Sequence, residues 1–155
     1  MESKNKELTN LLSSLASLHQ QRRNGYEKAT VECQGNFPEL RLLFGEFADE
    51  SRAMMSSLQE KLQHLDAQTN LSADGEISRI WNHVKWAYTG INKEGILESA
   101  EQAEKVIHDA YDKALADDAE MSAETRQMLI EQKESLDEDA ARIYSIVHGS
   151  EAPVK

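Results

Sequence analysis

The stretch LSADGEISRIWNHVKWAYTGIN, residues 71–92, decides how the chain is wired. Ile77, Ile80, Trp81, Val84 and Tyr88 recur at steps of three and four, which predicts a helix of three to four turns. Ala73-Asp74-Gly75 bounds it on one side and Thr89-Gly90 on the other. The segment is too long for a hairpin turn. Its helix spans about 20 Å at 1.5 Å per residue, enough to carry the chain from one end of a bundle toward the other.

On either side lie stretches with helical periodicity. Upstream, Leu8, Leu11, Leu12, Leu15, Leu18, Tyr26 and Ala29 form one face of a helix from about Lys4 to Cys33. A short turn at Gln34-Gly35-Asn36 follows, with Gly35 suited to a left-handed cap. Asn36 is the expected cap of the second long helix, Pro38 fits its first turn, and Glu39 faces the positive dipole end. Its stripe runs Leu40, Leu43, Phe44, Phe47, Met54, Met55, Leu58, Leu62 and Leu65. Downstream, Ile96, Leu97, Ala100, Ala103, Ile107, Ala110, Tyr111 and Ala114 mark the third long helix. Met128, Leu129, Leu136, Ile143, Ile146 and Val147 mark the fourth, capped by Ser122 and stopped at Gly149. Two short turns make two antiparallel hairpins, and the long link between them lets the second and third long helices run parallel. The expected fold is all-α: a ferritin-like four-helix bundle whose crossover contains a short extra helix. One domain covers 1–149, and 150–155 form a flexible tail.

Composition agrees. Seven Gly and two Pro in 155 residues leave few turns, which argues against sandwiches, barrels and doubly wound sheets. One Cys excludes a disulfide framework and a multi-Cys zinc site. A net charge of -11 argues against nucleic acid as a partner, and Arg22-Arg23 is too small a basic patch to reverse that. No stretch approaches the roughly 20 apolar residues of a membrane span, and the first residues lack the apolar core of a signal peptide. The expectation is a cytoplasmic protein with no membrane partner.

Placing each helix on a wheel brings six polar residues onto or beside the apolar stripes: His19 and Arg22 in the first helix, Ser51 in the second, Glu104 in the third, Gln132 and Asp139 in the fourth. All sit near their helix midpoints, so they form one polar layer halfway along the bundle. Arg22 favours a structural, hydrogen-bonded layer, because a buried guanidinium stays charged and needs a carboxylate such as Glu104 or Asp139.

Several residues carry a further resemblance. Gly75-x3-Arg79-x-Trp81-x2-Val84-Lys85-x-Ala87-x-Thr89-Gly90, followed by Ile96-Leu97 and Glu101-x2-Glu104, resembles bacterial ferritin-like four-helix-bundle domains of unknown function. Asn24-Gly25-Tyr26, Ser51-Arg52 and Tyr111-x2-Ala114-Leu115 extend the likeness, which covers about Leu8 to Val147. The resemblance implies a bacterial source and a ferritin-like bundle, and brings no established activity. It also implies a His near Ala140, which this chain lacks.

A ferritin-like di-iron centre uses Glu-x-x-His on two helices. None of His19, His64, His83, His108 and His148 has a Glu three residues earlier. Glu60/His64 and Glu104/His108 are four apart, a spacing that also suits surface pairs. The favoured reading is therefore a non-catalytic bundle acting through protein contacts, with a degenerate ferritin-like centre in which Arg22 stands in place of metal, and with no cofactor. The alternative is an iron- or manganese-binding oxidoreductase or storage protein, using Glu104, His108 and Asp139. No Ser-His-Asp order, nucleophile elbow or phosphate loop is present. Cys33 reads as an inert thiol. In the link, Trp86 falls opposite the Ile77/Trp81/Val84/Tyr88 stripe and shares its face with Arg79, Asn82 and His83, a candidate interface to an unknown protein partner or to a second copy in a homo-oligomer.

Overall fold

The computed structural model describes residues 2–33, 37–67, 71–84, 93–117 and 119–149, with side chains from Lys6 onward. These residues form five helices and no strand: α1 (Glu2–Glu32), α2 (Pro38–His64), α3 (Glu76–Asn82), α4 (Lys93–Ala116) and α5 (Ala123–His148).

Side-chain pairs fix the directions. His19 meets Tyr111 and Tyr26 meets Glu104, so α1 and α4 run antiparallel. Lys61 pairs with Glu124 and Glu46 with Arg142, so α2 and α5 run antiparallel as well. Within each hairpin, α1 packs along α2 and α4 along α5. It follows that α2 and α4 point the same way, and the link between them returns along the length of the bundle. It climbs α1. Ser72 N–H donates to Ser17 Oγ at 3.0 Å, and the Gln21 amide donates to the carbonyls of Ser72 and Asp74 while accepting from Ser78 N–H. Helix α3 then lays Ile77 and Trp81 against the bundle. The Trp81 ring sits edge-on to Tyr26 and Phe44, at 5.3 and 6.3 Å between centroids. It fits because α1 has glycine at position 25: a Cβ there would overlap the indole.

All five helices contribute to one apolar cluster, from Leu8 at one end through Phe44, Leu58, Ile77 and Ile107 to Ile143. The stripes read from the sequence are its walls, with differences. The fourth stripe included Ile146, which is 40% exposed. It lies one turn past Arg142, on the side of α5 that faces outward beside α2. The link helix is two turns long among the described residues, not three to four, and Tyr88 and Trp86 lie outside them. The expected Asn36 cap and Gly35 turn also lie outside the described residues. Phe37 itself occupies the N-cap of α2 in a left-handed conformation (φ 49°) and makes no side-chain cap bond. At α5 the reading and the structure coincide: Ser122 Oγ accepts from Thr125 N–H at 3.0 Å, and Gly149 ends the helix at φ 62°.

Candidate functional site

Halfway along the bundle the apolar core is interrupted. His19 and Arg22 on α1, Ser51 on α2, Glu104 on α4, and Gln132 and Asp139 on α5 are all buried. The structure brings all six into one hydrogen-bonded network. Arg22 is its hub. Its Nε donates to Glu104 Oε2 at 2.8 Å and its Nη2 to Glu104 Oε1 at 3.2 Å, a two-point grip. Nη2 also donates to Asp139 Oδ2 at 2.9 Å. Nη1 donates to Ser51 Oγ at 2.8 Å, and to the Phe47 carbonyl and Glu50 Oε1 at 3.3 Å each. Tyr26 and Phe47 place their rings 5.3 and 5.2 Å from the guanidinium carbon. A cation wholly out of water thus has every N–H group of its fork engaged.

From Ser51 the network continues in one direction. Tyr111 O–H donates to Gln132 Oε1 at 2.6 Å, so its oxygen accepts from His19 Nε2–H at 2.7 Å. His19 Nδ1 is then an acceptor, 3.0 Å from Ser51 Oγ, whose hydroxyl proton it receives. The chain Arg22–Ser51–His19–Tyr111–Gln132 fixes a neutral imidazole with its proton on Nε2.

The electrostatics follow from burial and from one cation among three carboxyl groups. Burial, and then the Arg22 charge, hold His19 well below the usual imidazole range. Burial opposes the Arg22 charge, but Glu104, Tyr26 and Asp139 outweigh it and raise the guanidinium pKa. Glu104 takes the two-point grip and also accepts from Tyr26 O–H at 2.6 Å. Tyr26 is raised well above the phenol range, first by burial and then by Glu104. Asp139 receives a single Arg22 contact. Burial first, then a hydrogen bond with Glu50, push it up to about 8, against which Arg22 pulls down.

Three members were not singled out by sequence. Tyr26 and Tyr111 counted as apolar stripe, and only their hydroxyls reveal the second role. Glu50 precedes Ser51 and sits at the edge of the layer, its side chain 28% exposed.

The residues of the metal-binding alternative are not brought together. Glu104 and Asp139 face inward to Arg22, whereas His108 turns to the surface between Asp112 (Nε2–Oδ2, 3.1 Å) and Asp137 (Nδ1–Oδ1, 2.8 Å). The physical reason is angular: His108, one residue past Ile107 and one turn past Glu104, has rotated off the buried stripe. His108, Asp109 and Asp112 do place ligand atoms within 4.8 Å of one another. Lys133 pairs with Asp112 and Asp137, at 3.4 and 2.9 Å, and Lys105 with Asp109 at 3.2 Å, so the carboxylates of that cluster already have cationic partners. Elsewhere, Arg79, Asn82 and His83 are exposed on the outer face of the link, and Trp86, the remaining residue of that candidate interface, lies outside the described residues. Cys33 is buried, and burial, with the Glu32 carboxylate, raises its thiol pKa away from reactivity. No described helix is long and apolar enough to cross a membrane.

A family model described as a domain of unknown function, DUF2383, matches residues 7–117. The match takes in α1 to α4 and with them His19, Arg22, Ser51, Glu104 and Tyr111; Gln132 and Asp139 lie on α5, beyond it. No curated protein and no solved structure matches the chain. With most of its length matched, including the crossover that sets its topology, the chain belongs to the DUF2383 family of domains of unknown function.

Proposed function

We propose that the protein is a non-catalytic, ferritin-like helical bundle that works through protein contacts, and that its mid-bundle layer is a degenerate centre in which the Arg22 guanidinium takes the place a metal ion holds in di-iron bundles. The parallel course of α2 and α4, tied by a crossover along the bundle, supports the ferritin-like reading. The observation that carries the reading of the centre is the engagement of Arg22: Glu104, Asp139, Glu50 and Ser51, from three different helices, all turn their oxygens to this one cation. A fixed positive charge there repels a metal ion and consumes the oxygens that would ligate it. The same engagement leaves the layer without a free nucleophile or base: His19 has both ring nitrogens bonded and its charge suppressed. Protein contact is supported by exposed apolar side chains at one end of the bundle, Val31, Leu42 and Ile146. Leu42 and Ile146 each lie one turn beyond the Glu46–Arg142 pair on antiparallel helices, so they share one seam.

Metal analysis tests the centre. Protein purified natively, and again after anaerobic loading with iron, is expected to carry well below one metal per chain. Stoichiometric iron or manganese that is lost in Glu104→Ala contradicts the proposal.

A further inference from the structure

The two hairpins are held together very differently on their two sides. Between α1 and α4 run three buried side-chain contacts: His19–Tyr111 at 2.7 Å, Tyr26–Glu104 at 2.6 Å and Arg22–Glu104 at 2.8 Å. Helix α3 straps the same side, packing on both α1 and α4 with Ile77 and Trp81 buried. A groove of about 520 Å³ opens along α1 and α4 near Leu11 and Ala114, away from the strap.

Among the described residues no helix straps α2 to α5, and their packing is sparse. Among the described residues, the direct ties include two ion pairs, Lys61–Glu124 and Arg142–Glu46, each with at least one side chain more than half exposed, and the Arg142 guanidinium 5.6 Å from the centroid of the Phe47 ring. Exposed ion pairs contribute at most about 1 kcal/mol each. Between the two pairs the helices stand apart around a cleft of about 240 Å³, lined by Ala53, Met54 and Ser57 on α2 and by Met128, Gln132 and Ser135 on α5. Gln132 is the last member of the His19–Tyr111 chain, and Glu50 and Asp139 lie about one turn past the lining residues Met54 and Ser135. The cleft therefore leads directly to the polar layer.

We infer that the bundle opens as a clam: α2 and α5 part at this seam, while α1, α4 and α3 act as the hinge. The opening admits solvent and small polar solutes to Gln132, Asp139 and Arg22 without unfolding either hairpin. Local openings of this kind cost less than global unfolding and are drawn from the least packed contacts of a fold.

Thiol labelling of the full-length Cys33→Ala protein tests the inference. Met54→Cys reports the mouth. Ile107→Cys, on the α4 stripe between Glu104 and Tyr111, reports the hinge. Both are treated with 5,5′-dithiobis(2-nitrobenzoate) at low urea. Met54→Cys is expected to label at least about 100-fold faster than Ile107→Cys, with little urea dependence, whereas Ile107→Cys follows the steep dependence of global unfolding. Leu58→Cys and Ala103→Cys repeat the comparison if either first variant does not fold. An advantage for the mouth thiol below about 100-fold, or equal urea dependence for both, overturns the inference.

Discussion

Arg22 and Glu104 face each other across α1 and α4 as a buried two-point ion pair, with Nε–Oε2 at 2.8 Å and Nη2–Oε1 at 3.2 Å. Removing one member leaves the other charged and out of water. Arg22→Met is therefore expected to cost about 3–5 kcal/mol, because Glu104 loses the cation that grips both its oxygens. Arg22→Met combined with Glu104→Gln should recover a large part of that loss, since the stranded charge goes too. Urea unfolding of the two single variants and the double variant measures this; additive losses would show that the pair is not coupled.

Asp139 gives the stability a pH dependence of known sign. Its pKa is about 8 in the folded protein against a reference value of 3.8, so between these pH values the folded state holds a proton the unfolded chain has lost. That contribution is complete below about pH 4 and is lost as pH rises toward 8, with a slope of at most about 1.4 kcal/mol per pH unit. His19 acts in the opposite sense. Its folded pKa lies well below 6.5, so stability is lost as pH falls below 6.5 and the unfolded imidazole takes up a proton. Between pH 6.5 and 8 only the Asp139 slope remains of the two. The protein should be less stable at pH 8 than at pH 6.5, and Asp139→Asn should flatten that interval. Denaturant midpoints at the two pH values decide it.

The one-directional chain through His19 makes a spectroscopic prediction. Ring nitrogen shifts should show a neutral imidazole protonated on Nε2 at pH 6.5, where a free imidazole is half protonated. Tyr111→Phe removes the acceptor for Nε2–H and the donor to Gln132 together. It should cost about 1–3 kcal/mol for the buried groups left unpartnered.

Gly25 and Trp81 set two effects against each other. Alanine in a helix interior gains about 1 kcal/mol over glycine. A Cβ at position 25, however, overlaps the Trp81 indole, which is only 2% exposed and held between Tyr26 and Phe44. Overpacking of a rigid ring costs about 1–3 kcal/mol and here dominates. Gly25→Ala should lower the melting temperature and weaken the near-ultraviolet aromatic signal; a rise in stability would mean that the link helix is not seated as described.

Much of this was legible in the sequence, for a simple reason. Helical periodicity reports which face is buried, so the four long stripes and the six inward polar residues could be placed without knowing any contact. Arg22 was informative because a guanidinium cannot shed its charge and so demands carboxylates nearby. What periodicity does not report is partnership. The Tyr26 and Tyr111 hydroxyls hide behind rings that count as apolar. Glu50 lies one residue off the stripe and joins the layer by accepting from Arg22 Nη1. His108 shows the converse: four residues from Glu104 on the same helix, it has turned far enough to meet Asp112 and Asp137 on the surface. The exposed Leu42 shows that one apolar residue in a stripe-rich helix need not face inward.

The central claim is that a guanidinium fills the middle of the bundle where a metal ion would otherwise sit. Nitrogen-15 spectroscopy of the Arg22 side chain during titration with manganese(II) tests it most directly, because the paramagnetic ion broadens any nucleus beside it. The expected result is an Arg22 Nε–H signal that keeps its position and width past one equivalent of manganese. Disappearance of that signal at one equivalent, with Glu104→Ala abolishing the effect, would contradict it.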